Sequence, residues 1–78
     1  MSVTVLYFAS LRDQAGVGSE AVELPTSLTA LYQSLRERHG FSLSAEQLRV
    51  AVNGVFCAWE ATVDDGAEIA FIPPVSGG

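Results

Sequence analysis

TSLTALYQSLRERHG, residues 26–40, is the stretch on which the fold turns. Leu28, Leu31, Tyr32 and Leu35 recur at i, i+3, i+4 and i+7, which gives one apolar stripe of helical period. Thr26 or Ser27 can supply the N-cap oxygen. Arg36, Arg38 and His39 fall in the last turn, where the helix dipole favours positive charge, and Gly40 suits the left-handed residue that ends a helix. A single amphipathic helix with no second long helix to bury its stripe must lie on a sheet.

The rest of the chain supplies that sheet. VTVLYF (3–8) is rich in β-formers and alternates imperfectly, so it reads as a central strand with little exposed face. SLRDQAGVGSE (10–20), with Gly16 and Gly18, reads as a loop. AVEL (21–24) is a short alternating strand that Pro25 stops. After the helix, FSLSAEQ (41–47) suggests at most one short helical turn. LRVAVNG (48–54) is a strand running into Asn53-Gly54, a strong hairpin signal, and VFCAW (55–59) is its returning, edge-like partner. Asp64-Asp65-Gly66 is a turn, AEIAFI (67–72) the last strand, and Pro73 ends its ladder. The first and last strands, both apolar and β-rich, are expected side by side at the centre. The fold class is therefore α+β, a β-grasp (ubiquitin-like) mixed sheet with one main helix on one face. Residues 1–72 form the domain and residues 73–78 a projecting tail.

Composition narrows the function classes. Seventy-eight residues, 49% hydrophobic and 17% charged, suit one globular domain with a thin core and little room for an internal cleft. No apolar run reaches membrane-spanning length, and the first residues lack a signal-peptide layout, so the plain reading is a cytoplasmic protein without a membrane partner. A lone cysteine, Cys57, and a lone histidine, His39, exclude a disulfide framework and argue against a protein-only metal site. The net charge of −5, with Arg12, Arg36, Arg38 and Arg49 as the sole cations, argues against nucleic acid and suits a partner with a basic surface. Lysine is absent. Compositional bias is the plain explanation; the sharper one is that a reactive acyl terminus is safer without amines to attack it.

The last residues, FIPPVSGG, read as a strand, a stiffener and a narrow tip. Pro73 and Pro74 fix two φ angles and keep the chain extended. Six extended residues span roughly 20 Å. Val75 and Ser76 are small, and Gly77 and Gly78 have no side chain, so a narrow tunnel can admit them. A terminal carboxylate with a pKa near ~3.5 is ionised and a poor electrophile. Activation, for instance as a mixed anhydride with AMP, falls to an ATP-binding partner, since this chain has no phosphate loop.

LYFASLRDQAG near the start, VAVNG, and DDGAEIAFIPPVSGG at the end closely resemble the MoaD-type sulfur carriers, the small subunits of molybdopterin synthase, over nearly the full length. Thiamine-type sulfur carriers share the fold and the Gly-Gly end but usually lack the double proline. The resemblance implies that an E1-like adenylyltransferase uses ATP to adenylate Gly78, and that a sulfur donor then converts it to a thiocarboxylate. It implies that the tail, Pro73 to Gly77, threads into the large synthase subunit and delivers sulfur to cyclic pyranopterin monophosphate in molybdenum cofactor biosynthesis. The chain would bind no cofactor or metal and would have no turnover alone, with two carriers on a dimeric large subunit. The family's Phe-Ala-x-x-Arg start falls on Phe8 and Arg12, which implies a partner-facing patch with Ile72. At Ile72 the sequence departs from the aromatic pair common before the prolines, a change in partner geometry rather than in the chemistry at Gly78.

The remaining candidates divide as follows. Phe8 can equally be core, and Arg12 a solvated loop residue. Phe71 and Ile72 face opposite sides of their strand, with Phe71 expected in the core and Ile72 towards the partner. Cys57 reads as inert packing, His39 as a surface residue complementing the helix dipole, and Asp64 and Asp65 as turn formers. Trp59 either covers the core or marks an interface. A protein modifier joined to target lysines, or a plain interaction module, remains open beside the sulfur carrier.

Overall fold

The computed structural model describes residues 1–74. Its elements are β1 (Ser2–Tyr7), α1 (Ala9–Ala15), β2 (Ser19–Glu23), α2 (Leu28–His39), a 3₁₀ turn (Ala45–Gln47), β3 (Arg49–Val52), β4 (Val55–Cys57) and β5 (Glu68–Ile72). The five strands form one sheet in the order β2-β1-β5-β3-β4. β1 and β5 pair in parallel in its middle, and the other three pairings are antiparallel. The β-grasp expectation holds.

α2 forms where its stripe predicts. Ser27, not Thr26, caps it, its Oγ accepting from the Ala30 N–H at 3.0 Å. Gly40, at φ 71°, closes it with an N–H donated to Arg36 O. Leu28, Leu31, Tyr32 and Leu35 are all buried, against Val3, Val5 and Tyr7 of β1, Val50 of β3, and Ile69 and Phe71 of β5. Full burial of such side chains contributes about 1.5–3 kcal/mol each. The Tyr32 hydroxyl, carried into the core by this stripe, donates to Leu43 O at 2.7 Å. The β3–β4 hairpin turns through Asn53 (φ 52°) and Gly54 (φ 82°), both in the left-handed region that a two-residue loop requires. Asp64 and Asp65 are turn formers. Asp64 O accepts from the Ala67 N–H, and the Asp65 carboxylate accepts from the Ser2 N–H at 2.8 Å.

Four sequence expectations need correction. Part of the expected loop at 10–20 is α1. Leu11 drops fully into the core, and Gly16, at φ 79°, ends the helix by donating to Arg12 O. β2 starts earlier than expected, at Ser19, because Gly18 O already accepts from the Tyr7 N–H. β1 is central but has an open face: Val3, Val5 and Tyr7 are buried while Ser2 and Thr4 are exposed. The physical reason is that the helical layer covers one side of the sheet only. β4 ends at Cys57, and Trp59 lies in the turn after it, where the Ala61 N–H donates to Ala58 O.

Candidate functional site

The last strand delivers the tail root to the sheet's centre. Ile72 is the final paired residue of β5, opposite Arg49, while Tyr7 pairs with Phe71 on the other side. Pro73 is half-buried and Pro74 exposed. Val75, Ser76, Gly77 and Gly78 lie outside the described residues. The pleat sends Phe71 inward, where it is fully buried against Tyr32 and Trp59, with ring centroids at 5.1 and 5.6 Å. Ile72 points to the opposite, uncovered face, as its alternation predicts.

Phe8 follows β1 directly and is 45% exposed, so it is not core. The chain turns sharply after it, because Ala9 has φ 51°. Continuing the parallel register by one residue sets Phe8 beside Ile72. Arg12 is exposed on α1, its guanidinium lying along Gly18, with no ion pair among the described residues. The structure thus brings Phe8, Ile72 and Pro73 to one end of the sheet.

Sequence reasoning missed the rest of this surface. Leu6, Ala70, Ala51 and Phe56 stand in one row across β1, β5, β3 and β4 on the uncovered face. Ala51 is buried between its neighbours, and Phe56 is 53% exposed. With Phe8 and Ile72 this makes an apolar skirt around the tail root. Larger exposed apolar patches mark interaction sites. Arg49 crosses it with its guanidinium 4.3 Å from the Phe56 ring centroid, in cation–π contact. Towards the sheet's other end the same face carries Thr4, Glu68, Ser2 and Glu23. The signal available in the sequence was Leu6 and Ala70 at positions where a one-sided sheet would normally carry polar residues.

A second polar cluster is structural. Glu20 of β2 accepts a hydrogen bond from the Tyr7 hydroxyl and one from His39 Nε2 at 2.7 Å, and it pairs with Arg38 at 3.6 Å. Burial pushes the Glu20 carboxyl up, but the two hydrogen bonds and the charges of His39 and Arg38 outweigh it and hold the group below its usual range. Burial, and then the bond to Glu20, push the Tyr7 phenol well above its ordinary value. His39 is therefore not the surface residue expected. Its side chain is 14% exposed, packs on Tyr7 and Phe41, and ties the end of α2 to β2. Trp59 covers the core, stacked on Phe71 and edge-on to Tyr32. Cys57 is half-buried, its thiol directed at Val50 O. No helix among the described residues is long and apolar enough to cross a membrane.

Comparison with known proteins fits this geometry. The model of the ThiS family matches residues 5–78. The molybdopterin synthase sulfur carrier subunit of Escherichia coli strain K12 is 35% identical over 97% of this chain and 99% of its own length. SAMP1 (small archaeal modifier protein 1) of Haloferax volcanii superposes with a TM-score of 0.81 at 26% identity, covering both chains fully. A protein–protein complex of subunits 1 and 2 of the molybdopterin-converting factor from Helicobacter pylori contains a chain of the same fold. That chain superposes with a TM-score of 0.72 at 24% identity over the whole of both chains. The chain belongs to the ThiS family.

Proposed function

We propose that this ThiS-family chain is the sulfur-carrier subunit of a molybdopterin synthase, and that its reactive atom is the carboxyl carbon of Gly78. The observation that carries this reading is the exit of β5 at the sheet's centre into Pro73 and Pro74, ringed by exposed Phe8 and Phe56 and half-buried Ile72. A carrier needs a surface that a partner can grip while a slim end reaches that partner's active site, and this face surrounds the root of such an end. An E1-like adenylyltransferase joins the carboxylate to AMP and releases pyrophosphate. A sulfur donor then displaces AMP, leaving a thiocarboxylate. In the large subunit the sulfur passes to cyclic pyranopterin monophosphate, and water restores the carboxylate. Phe8, Ile72 and Arg12 contact that subunit, Pro73, Pro74, Val75, Ser76 and Gly77 thread its tunnel, and the chemistry takes place in the cytoplasm. The chain binds neither cofactor nor metal.

The test is intact mass of the chain isolated from its own cells. Replacement of one oxygen by sulfur adds about 16 Da to a fraction of the molecules, and deletion of Gly78 removes that species and the sulfur transfer together. Transfer that survives the deletion refutes the proposal. The likeness to SAMP1 gives a second reading, a modifier joined to other proteins. Adducts on heavier proteins, released by no reductant and lost with Gly78, would select it. Such adducts would carry a single copy, because the chain has no lysine of its own to extend.

A further inference from the structure

Of the four cations, two are engaged on the helical side of the fold, and a third, Arg12, is carried by α1 rather than by the sheet. Arg36 Nε donates to Phe41 O at 3.1 Å, Arg38 pairs with Glu20, and Arg12 lies along Gly18. Arg49 alone stands on the uncovered sheet face. It is opposite Ile72, the last residue before the tail, and has no carboxylate partner among the described residues. Phe56 fixes it there from beneath, 4.3 Å away. The charges of that face are polarised: Arg49 lies at the tail end and Glu68 and Glu23 at the other, with the apolar row of Leu6, Ala70, Ala51 and Phe56 between.

We propose that Arg49 is the orienting contact of the docking face: the protein that receives the tail seats an aspartate or glutamate on its guanidinium, at the mouth of the tail's tunnel. This rests on the sulfur-carrier reading and names the partner's chemistry. An apolar skirt alone is non-directional, so it binds without fixing rotation about the tail. One cation at the root and two carboxylates at the far end make the face distinguishable end from end. Complementary charge in a partner sets register and rejects the reversed pose. A guanidinium already held over an aromatic ring loses little freedom on binding, and its N–H groups suit a carboxylate partner. Enclosed by the apolar skirt, that pair is shielded from water and ions more than an open surface pair would be.

The experiment measures association of the full chain with the purified molybdopterin synthase large subunit of the same organism, at low and high salt. Arg49→Met is expected to weaken binding at least ~10-fold and to flatten its salt dependence. Arg49→Glu is expected to weaken it further, by ~100-fold or more, because it sets like charges together. Arg49→Lys should recover part of the loss. Thermal melting of all three should stay at the wild-type value, which separates lost contact from lost fold. An Asp→Lys or Glu→Lys change at the large subunit's tunnel mouth should restore Arg49→Glu. Wild-type affinity and salt slope in Arg49→Met, with Phe8→Ala or Ile72→Asp still disruptive, would overturn the role of Arg49 and leave the carrier reading standing. Failure of the wild-type chain to bind the large subunit at all would overturn both.

Discussion

Replacing Glu20 by Gln should destabilise the fold in a pH-dependent way. The carboxylate sits between three elements, accepting from Tyr7 of β1 and His39 of α2 while pairing with Arg38. Glutamine keeps the shape and one acceptor oxygen but removes the charge. A hydrogen bond to a charged group is worth about 1.5–3 kcal/mol against roughly 0.5–1.5 for a neutral one. Two such bonds, at a side chain 22% exposed and therefore partly screened, give an expected loss of roughly 1–2 kcal/mol. In a domain of this size that lowers Tm by roughly 4–16 °C. The sign with pH follows from the depressed carboxyl: its contribution is fully present above the unfolded-state pKa, near ~4.3, and disappears as pH falls through the lower folded value. Melts followed by circular dichroism at pH 7 should therefore show the full gap between wild type and Glu20→Gln, and melts approaching pH 3 a smaller one. A gap that is constant with pH, or a Tm unchanged at pH 7, would refute the assignment of Glu20 as the charged hub joining β1, β2 and α2.

Three further outcomes follow from named contacts. Phe71→Ala should cost about 3–5 kcal/mol, while Phe56→Ala, on the open face, should change the denaturant midpoint little yet weaken large-subunit binding. Trp59→Ala should cost roughly 2 kcal/mol by uncovering Phe71 and Tyr32, read as a lower urea midpoint with partner binding retained. Ala9 sits at φ 51°, so Ala9→Gly should be near neutral or slightly stabilising, and Ala9→Val should lower Tm by at least ~4 °C.

What the sequence disclosed and what it hid follow from the range of the interactions concerned. The Leu28–Leu35 stripe and the Asn53-Gly54 turn are local periodic or conformational signals, so α2 and the β3–β4 hairpin were legible, and two apolar end strands placed β1 beside β5. α1 was not legible: seven residues with a single anchor, Leu11, and no side-chain cap form a helix only because the core accepts that leucine. Glu20 was invisible for a different reason, since its hydrogen-bonding partners lie 13 and 19 residues away and no spacing rule joins them. The open face falls between these cases. A one-residue slip sends every side chain of a strand to the other side, so VFCAW alone does not say whether Phe56 is core or surface. The two-residue turn pairs Val52 with Val55 and hence Ala51 with Phe56, and the burial of Val50 then commits both to the uncovered side. The same pleat that hides Phe71 presents Ile72 and Arg49, and so the requirement for a packed inner face itself generates the apolar, singly charged outer face around the tail's root.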